Sequence, residues 1–434
     1  MRSGIQDIFK IPELRNKILF TLFIIAIYRL GAHIPTPGID AGALQAFFER
    51  QSNTFLGFMD MFSGGALSRL TIFALGIMPY ISASIIIQLF TIVSPTLEKL
   101  KKEGESGQRK ITQYTRYGTV GLALVQGLGI AIGLEAMPSP SGNPVVVDPG
   151  MEFRLMTMIT LTAGTVFVMW LGEQITEKGI GNGISLIIFS GIVAGLPGAV
   201  GNTFQMLNNN EISFFIVLIL FALMTLVIGA ICYFESAQRR LKIMYAKRVV
   251  GRKMLGGESS HLPLKINTAG VIPPIFASSL IMLPATFTNF IDHPLMKDIN
   301  NMLMPGSLIY TLIYISAIVF FCFFYTSIIY NPADVAENIK KQGGFIPGIQ
   351  PGRRTATRID YILTRLTFVG AIYLSIVCII PDFLIRYMNV PFYFGGTGLL
   401  IVVGVAMDTM SQIESYMVTR HYKGFLSTGK IKGR

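Results

Sequence analysis

Charge is scarce in this chain. Only 14% of its 434 residues are Asp, Glu, Lys or Arg, where a soluble globular domain has about 25%. Thiols and imidazoles are scarcer still. The three cysteines, Cys232, Cys322 and Cys378, lie inside apolar runs with no CxxC or CxxCH spacing, so they read as buried reduced thiols. The four histidines, His33, His261, His293 and His421, are scattered without metal-ligand spacing. The one Gly-Lys step, Gly429-Lys430, lacks the following Ser or Thr of a phosphate loop. No GxSxG elbow and no HExxH pair occurs. These absences argue against an ATPase, a hydrolase and a metalloenzyme, and no cofactor is expected.

What is present is apolar length. The chain is 51% hydrophobic with a mean hydropathy of +0.56. About 20 apolar residues cross a bilayer as a helix. Runs of that kind predict spans near 18–34, 72–93, 117–136, 153–172, 183–205, 212–234, 268–290, 307–330, 361–381 and 393–418. The first run has no small-residue cleavage site behind it and reads as a retained span. Backbone amides in lipid must be satisfied internally, and the period-2 pattern of a barrel is missing, so the spans are expected to be helices.

Charge placement sets the orientation. With both termini in the cytoplasm, 30 of the 36 Lys and Arg fall on that side. The outer loops hold only Arg50, Arg69, Lys297 and Arg386, while Arg29 and Arg154 sit at span ends. This asymmetry follows the positive-inside rule, and an odd number of spans would scramble it. Glu173, Glu235 and Asp408 also lie toward helix ends. The middles of the spans hold almost no ionisable group, whereas an active transporter keeps such groups near the midplane. A chain that moves something without an ATPase or proton relay must take its driving force from a partner.

Two cytoplasmic loops are long, near 235–267 and 331–360. The first alternates basic and apolar residues and suggests a hairpin. Its charge serves either orientation alone or docking of an acidic partner. Residues 54–70 are apolar but too short to cross, and Ser63-Gly64-Gly65 interrupts them. That piece either dips into the membrane inside a protein cavity or lies on the surface. Two five-span halves, 1–205 and 206–434, would start on opposite sides of the membrane, as an inverted repeat does.

Several stretches then carry a resemblance: FALGIMPYISASIIIQLF at 73–90, EKLKKEGESGQRKITQYTRY at 98–117, GIGNGISLIIFSGIVAGL at 179–196, HLPLKINTAGVIPPIFASS at 261–279, FIPGIQPG at 345–352 and FYFGGTGLLIVV at 392–403. In order and over nearly the whole chain, they resemble the SecY family of bacterial translocon subunits. The resemblance implies an all-α inner-membrane protein of ten transmembrane helices, in two inverted five-helix halves around an hourglass pore. It implies passage of unfolded preproteins and lateral release of membrane segments. The implied partners are SecE, SecG, the SecA ATPase, the ribosome, signal peptides, nascent chains and lipid.

The family's pore ring maps onto Ile77, Ile81, Ile184, Ile188, Ile275 and Ile401. A ring of branched apolar side chains gates by dewetting. The plug, at about 55–70, maps onto Phe58, Met61, Phe62, Ser63, Gly64, Gly65, Leu67 and Leu70. The lateral gate, between the second and third spans on one side and the seventh and eighth on the other, has Gln88, Gln126 and Asn267 as candidates. The docking surface for SecA and the ribosome maps onto Arg239, Arg240, Lys247, Arg248, Arg252, Lys253, Arg353 and Arg354. One departure is Gln350, where the family commonly has a basic residue. The competing readings are a secondary transporter of a small solute and a membrane-embedded enzyme.

Overall fold

The computed structural model describes residues 11–40, 42, 44, 45, 48, 60, 62–136, 145–245, 248–250, 253–255, 259–288, 307–388 and 396–428. Phe58, Met61, Lys247 and Arg252 lie outside the described residues.

The described chain is mostly helical. Its helices are α1 (Pro12–Gly31), α2 (Met78–Val93), α3 (Pro95–Lys102), α4 (Glu105–Ala136), α5 (Met151–Lys178), α6 (Gly183–Asn208), α7 (Phe214–Ser236), α8 (Ile272–Thr288), α9 (Leu308–Ile329), α10 (Pro332–Lys341), α11 (Arg353–Met388) and α12 (Gly396–Thr428). Among the described residues, six helices are long and apolar enough to cross a membrane. The α2–α3 pair, bent by 98° at Ser94-Pro95, makes a seventh if counted as one span.

Local chemistry explains where several helices begin. Asn182 accepts hydrogen bonds from the Ile184 and Ser185 amides at 3.2 and 3.4 Å and starts α6. Ser307 accepts from Tyr310 N at 3.0 Å and starts α9. Asn331 accepts from Ala333 N at 3.1 Å, with Pro332 in the first turn of α10. Each cap satisfies an amide that the first helical turn leaves unbonded. The expected span at 72–93 begins late. Residues 72–77 are turns, and α2 starts at Met78-Pro79, where proline fits the first turn.

Packing of α4 on α5, and of α9 on α8 and α11, builds the body. The largest apolar cluster joins α1, α2, α5 and α6 to α7, α8, α9, α11 and α12. A second cluster around Leu161, Phe153 and Ala123 lies at α4 and α5.

The exception to the all-helical expectation is a small sheet. Strands β1 (Gln238–Tyr245) and β4 (Ser259–Lys265) form the hairpin expected in the first long loop, with β2 (Arg248–Val250) and β3 (Lys253–Leu255) paired beyond it. Strand β5 (Gly344–Phe345), from the second loop, pairs with the other edge of β1. A separate apolar cluster of Ile243, Leu264, Ile339, Ile346, Ile359 and Ile362 fuses both loops and the start of α11 into one unit.

Candidate functional site: an isoleucine cluster, an inserted segment and a basic hairpin

The six ring candidates come from the early turns of four helices. Ile77 caps α2, and its carbonyl accepts from Ile81 N at 3.1 Å. Ile184 and Ile188 are one turn apart at the start of α6, so they share a face. Ile275 is in the first turns of α8, and Ile401 is in the early turns of α12. Five of them are buried in the largest cluster: Ile401 at 0%, Ile188 at 2%, Ile81 and Ile275 at 4%, and Ile77 at 5% exposure. Ile184 is partly buried and packs against the same cluster. All six therefore belong to one large apolar cluster, of which Phe62 is also a member.

The Gly-broken segment is built around Asp60. Its carboxylate Oδ1 accepts hydrogen bonds from Ser63 Oγ (3.2 Å), Leu67 N (3.0 Å) and Ser68 N (2.8 Å). The Tyr28 hydroxyl of α1 donates to Ser63 O at 3.3 Å, and its ring stacks on Phe73. Gly64 and Gly65 have φ of +69° and +82°, a region costly for other residues. Gly64 also rests directly on α6: a Cβ there would come within 2.7 Å of Gly191 Cα. Gly191 lies one turn beyond Ile188, so the segment sits against the helix that carries Ile184 and Ile188. Leu67 and Leu70 are buried in the second cluster. The segment therefore inserts between both clusters and does not lie on the surface.

The three gate candidates behave differently from one another. Gln88 is half-buried and donates from Nε2 to Ser84 Oγ on its own helix at 3.0 Å. Gln126 is buried in α4. Asn267 is buried before α8, and its Nδ2 donates to Glu235 Oε1 at 2.6 Å and to Gly270 O at 3.0 Å. No hydrogen bond joins the three amides to one another among the described residues. Helices α2 and α4 nevertheless both touch α8. Ser279 Oγ lies 3.8 Å from Met78 Sδ across the α2–α8 seam.

Arg239 and Arg240 are exposed on β1, and Arg353 and Arg354 are exposed at the start of α11. The backbones of Arg248 and Lys253 lie in β2 and β3. Because β5 and the start of α11 pack with the hairpin, the two basic loops present one surface. Sequence reasoning missed Asp60, Glu235 and the Met78–Ser279 contact. Asp60 was findable, because an Asp a few residues before a Ser-Gly-Gly turn is a turn-forming side chain. A thioether and a hydroxyl in separate spans leave no such trace.

A family profile for SecY matches residues 71–410. The chain is 51% identical over 425 residues to the protein translocase subunit SecY of Escherichia coli strain K12, covering 97% of this chain and 96% of that one. It is 48% identical over 427 residues to the Aquifex aeolicus subunit of the same name, covering 98% of this chain and 100% of that one. Among solved structures, a protein conducting channel has a similar fold at TM-score 0.68 and 17% identity, with 96% of this chain and 95% of that one covered. Sec61 of the canine ribosome–channel complex from the endoplasmic reticulum is similar at TM-score 0.65 and 16% identity, with the same coverages. Matching the profile over most of its length, and its relatives at about half identity from end to end, the chain belongs to the SecY family.

Proposed function

We propose that this chain is the channel-forming subunit of a bacterial protein translocase, passing unfolded preproteins across the inner membrane and releasing apolar segments sideways into it. It is a multi-pass membrane channel subunit and not an enzyme. The observation that carries the mechanism is the gathering of Ile77, Ile81, Ile184, Ile188, Ile275 and Ile401 in one apolar cluster, contributed by helices of both halves.

Such a cluster suits the task. Closed, it offers water and ions no polar partner, so a narrow passage through it dries and blocks conduction. Open, it offers a sliding polypeptide no fixed hydrogen bond that would hold one sequence more than another. The Asp60-organised segment, with Phe62 against the cluster and Gly64 on Gly191, acts as the plug that covers the seal. The α2–α8 seam is the lateral gate.

Ten spans in two halves, 1–205 and 206–434, around an hourglass pore are supported by ten helices of sixteen residues or more, α1, α2, α4 to α9, α11 and α12. Both termini then lie in the cytoplasm, where the Lys and Arg excess belongs. SecE and SecG complete a heterotrimer, and lipid contacts the outer helix faces. The exposed arginines Arg239, Arg240, Arg353 and Arg354, with Lys247, Arg248, Arg252 and Lys253 beyond them, dock the SecA ATPase or the ribosome. Acidic protein surface and RNA phosphate are both matched by clustered guanidinium groups.

The direct test is a stalled precursor and a cysteine introduced at position 188, in a chain whose native cysteines are replaced. Crosslinking along the threaded segment supports the conduit. Absence of any crosslink, with solute uptake by the isolated chain, would favour the transporter reading.

A further inference from the structure

The basic hairpin is joined to the helix that carries Ile275 by only six residues, 266–271, between β4 and α8. Most of this link is tied down. Ile266 N donates to Ala237 O at 3.1 Å, closing the hairpin base. Asn267 Nδ2 donates to Glu235 Oε1 at 2.6 Å and to Gly270 O at 3.0 Å. Thr268 Oγ1 shares a hydrogen bond with Thr326 Oγ1 of α9 at 3.1 Å. The Ile266 carbonyl rests on α11, where a Cβ at Gly370 would come within 3.0 Å of it.

We propose that Glu235 is a positioning residue that couples docking on the hairpin to movement of α8 at the gate. This rests on the channel reading above and adds how the gate is worked. Glu235 lies in the last turn of α7, which ends at Ser236 and passes through Ala237 into β1, so its carboxylate moves with the hairpin base. It grips Asn267, five residues before α8 begins. An amide nitrogen has two hydrogens to donate. Both of Asn267's are used within its own half of the molecule, so Asn267 works here at the joint and not across the seam. A short bond to a carboxylate is among the stronger protein hydrogen bonds. Displacement of the hairpin is therefore delivered to α8 and not absorbed in a slack linker, and α8 meets α2 at Ser279 and Met78.

The test uses the complete complex with SecE and SecG. Cysteines replace Met78 and Ser279, and serines replace Cys232, Cys322 and Cys378. Oxidative crosslinking across the seam reads gate closure, before and after SecA is bound with a non-hydrolysable ATP analogue. In this parent, docking lowers the crosslinking rate by at least about fivefold, the scale of an ordinary coupling between sites. With Glu235→Ala, SecA binds as before but the fall is lost. Glu235→Gln keeps the acceptor oxygen and responds like the parent, which a role in bulk charge would not allow. A full response in Glu235→Ala overturns the coupling role while leaving the channel intact. No response in the parent overturns the channel reading itself. If Glu235→Ala does not accumulate in the membrane, Asn267→Ala removes only the donor and carries the same expectation. A parent-like response there overturns the proposal equally.

Discussion

In the hairpin unit the backbone of β1 is bonded on both edges, to β4 through seven residue pairs from Gln238–Lys265 to Met244–Ser259, and to β5 at Met244 and Tyr245. The six ring isoleucines belong to one apolar cluster from four separate helices, with no backbone ladder between those helices among the described residues. Hydrogen bonds are directional, and breaking one inside a protein leaves costly unpaired groups. Apolar contacts have no direction and re-form in many arrangements. On the channel reading proposed above, the hairpin unit is suited to keep its shape under load, and the isoleucine cluster to part and close again. On that reading, one chain uses two kinds of cohesion for two different tasks.

The sharpest way to break this comparison is to put a polar group into the seal. Ile401→Asn removes a fully buried branched side chain and leaves an amide among apolar neighbours. The two losses together disfavour the closed state by about 3 kcal/mol or more. That is a shift of roughly a hundredfold in the closed-to-open ratio. Single-channel recording should show ion leakage, and precursors with defective signal sequences should be exported. Unchanged leakage and unchanged stringency would remove Ile401 from the seal. Ile275→Asn should act in the same direction.

Next in size is Gly191→Val. The added side chain meets the carbonyl of Phe62 and the backbone of Gly64. Overpacking of this kind costs about 1–3 kcal/mol, and here it falls on the plugged state. Crosslinking between cysteines at Ser63 and Tyr28, whose hydroxyl bonds the Ser63 carbonyl, should drop in rate. An unchanged rate would mean that the glycine contact does not seat the segment.

How much of this was legible beforehand divides along the same line. The long helices follow from apolar length, and β1 with β4 follows from the alternation of basic and apolar residues. The union of the two loops does not, because β5 is two residues long and its pairing with β1 spans about a hundred positions. The six ring isoleucines were picked out by family resemblance alone. In a span where nearly every residue is apolar, nothing local separates an isoleucine facing a pore from one facing lipid. The inserted segment defeated periodicity for another reason. Its shape comes from one carboxylate, Asp60, and two glycines at positive φ, and not from a repeat. Asn267 was singled out as a gate amide, yet its partner Glu235 passed as an ordinary helix-end charge.

A smaller effect sharpens the contrast on the rigid side. Ile243 of β1 is 4% exposed in the hairpin core, and Ile243→Val removes one methylene there for about 1 kcal/mol. Limited proteolysis of the cytoplasmic loops should quicken modestly, while ion leakage stays at the parent level. Ile188→Val, an equal deletion in the seal, should leave proteolysis unchanged and move only the gating readouts. If both variants altered both readouts alike, the two regions would be one cooperative body.

The smallest effect is expected from single surface charges. Arg240 and Arg354 are exposed, and an exposed pair contributes up to about 1 kcal/mol. Arg240→Glu or Arg354→Glu should therefore weaken binding of SecA or the ribosome by severalfold at low salt, chiefly through slower association. The difference from the parent should shrink as ionic strength rises, because screening shortens to about 3 Å at 1 M salt. Ile401→Asn should keep its leakage at every salt concentration, since a neutral amide carries no charge for ions to screen. A salt-independent defect in the arginine variants would mean that they disturb the hairpin's shape and not its field.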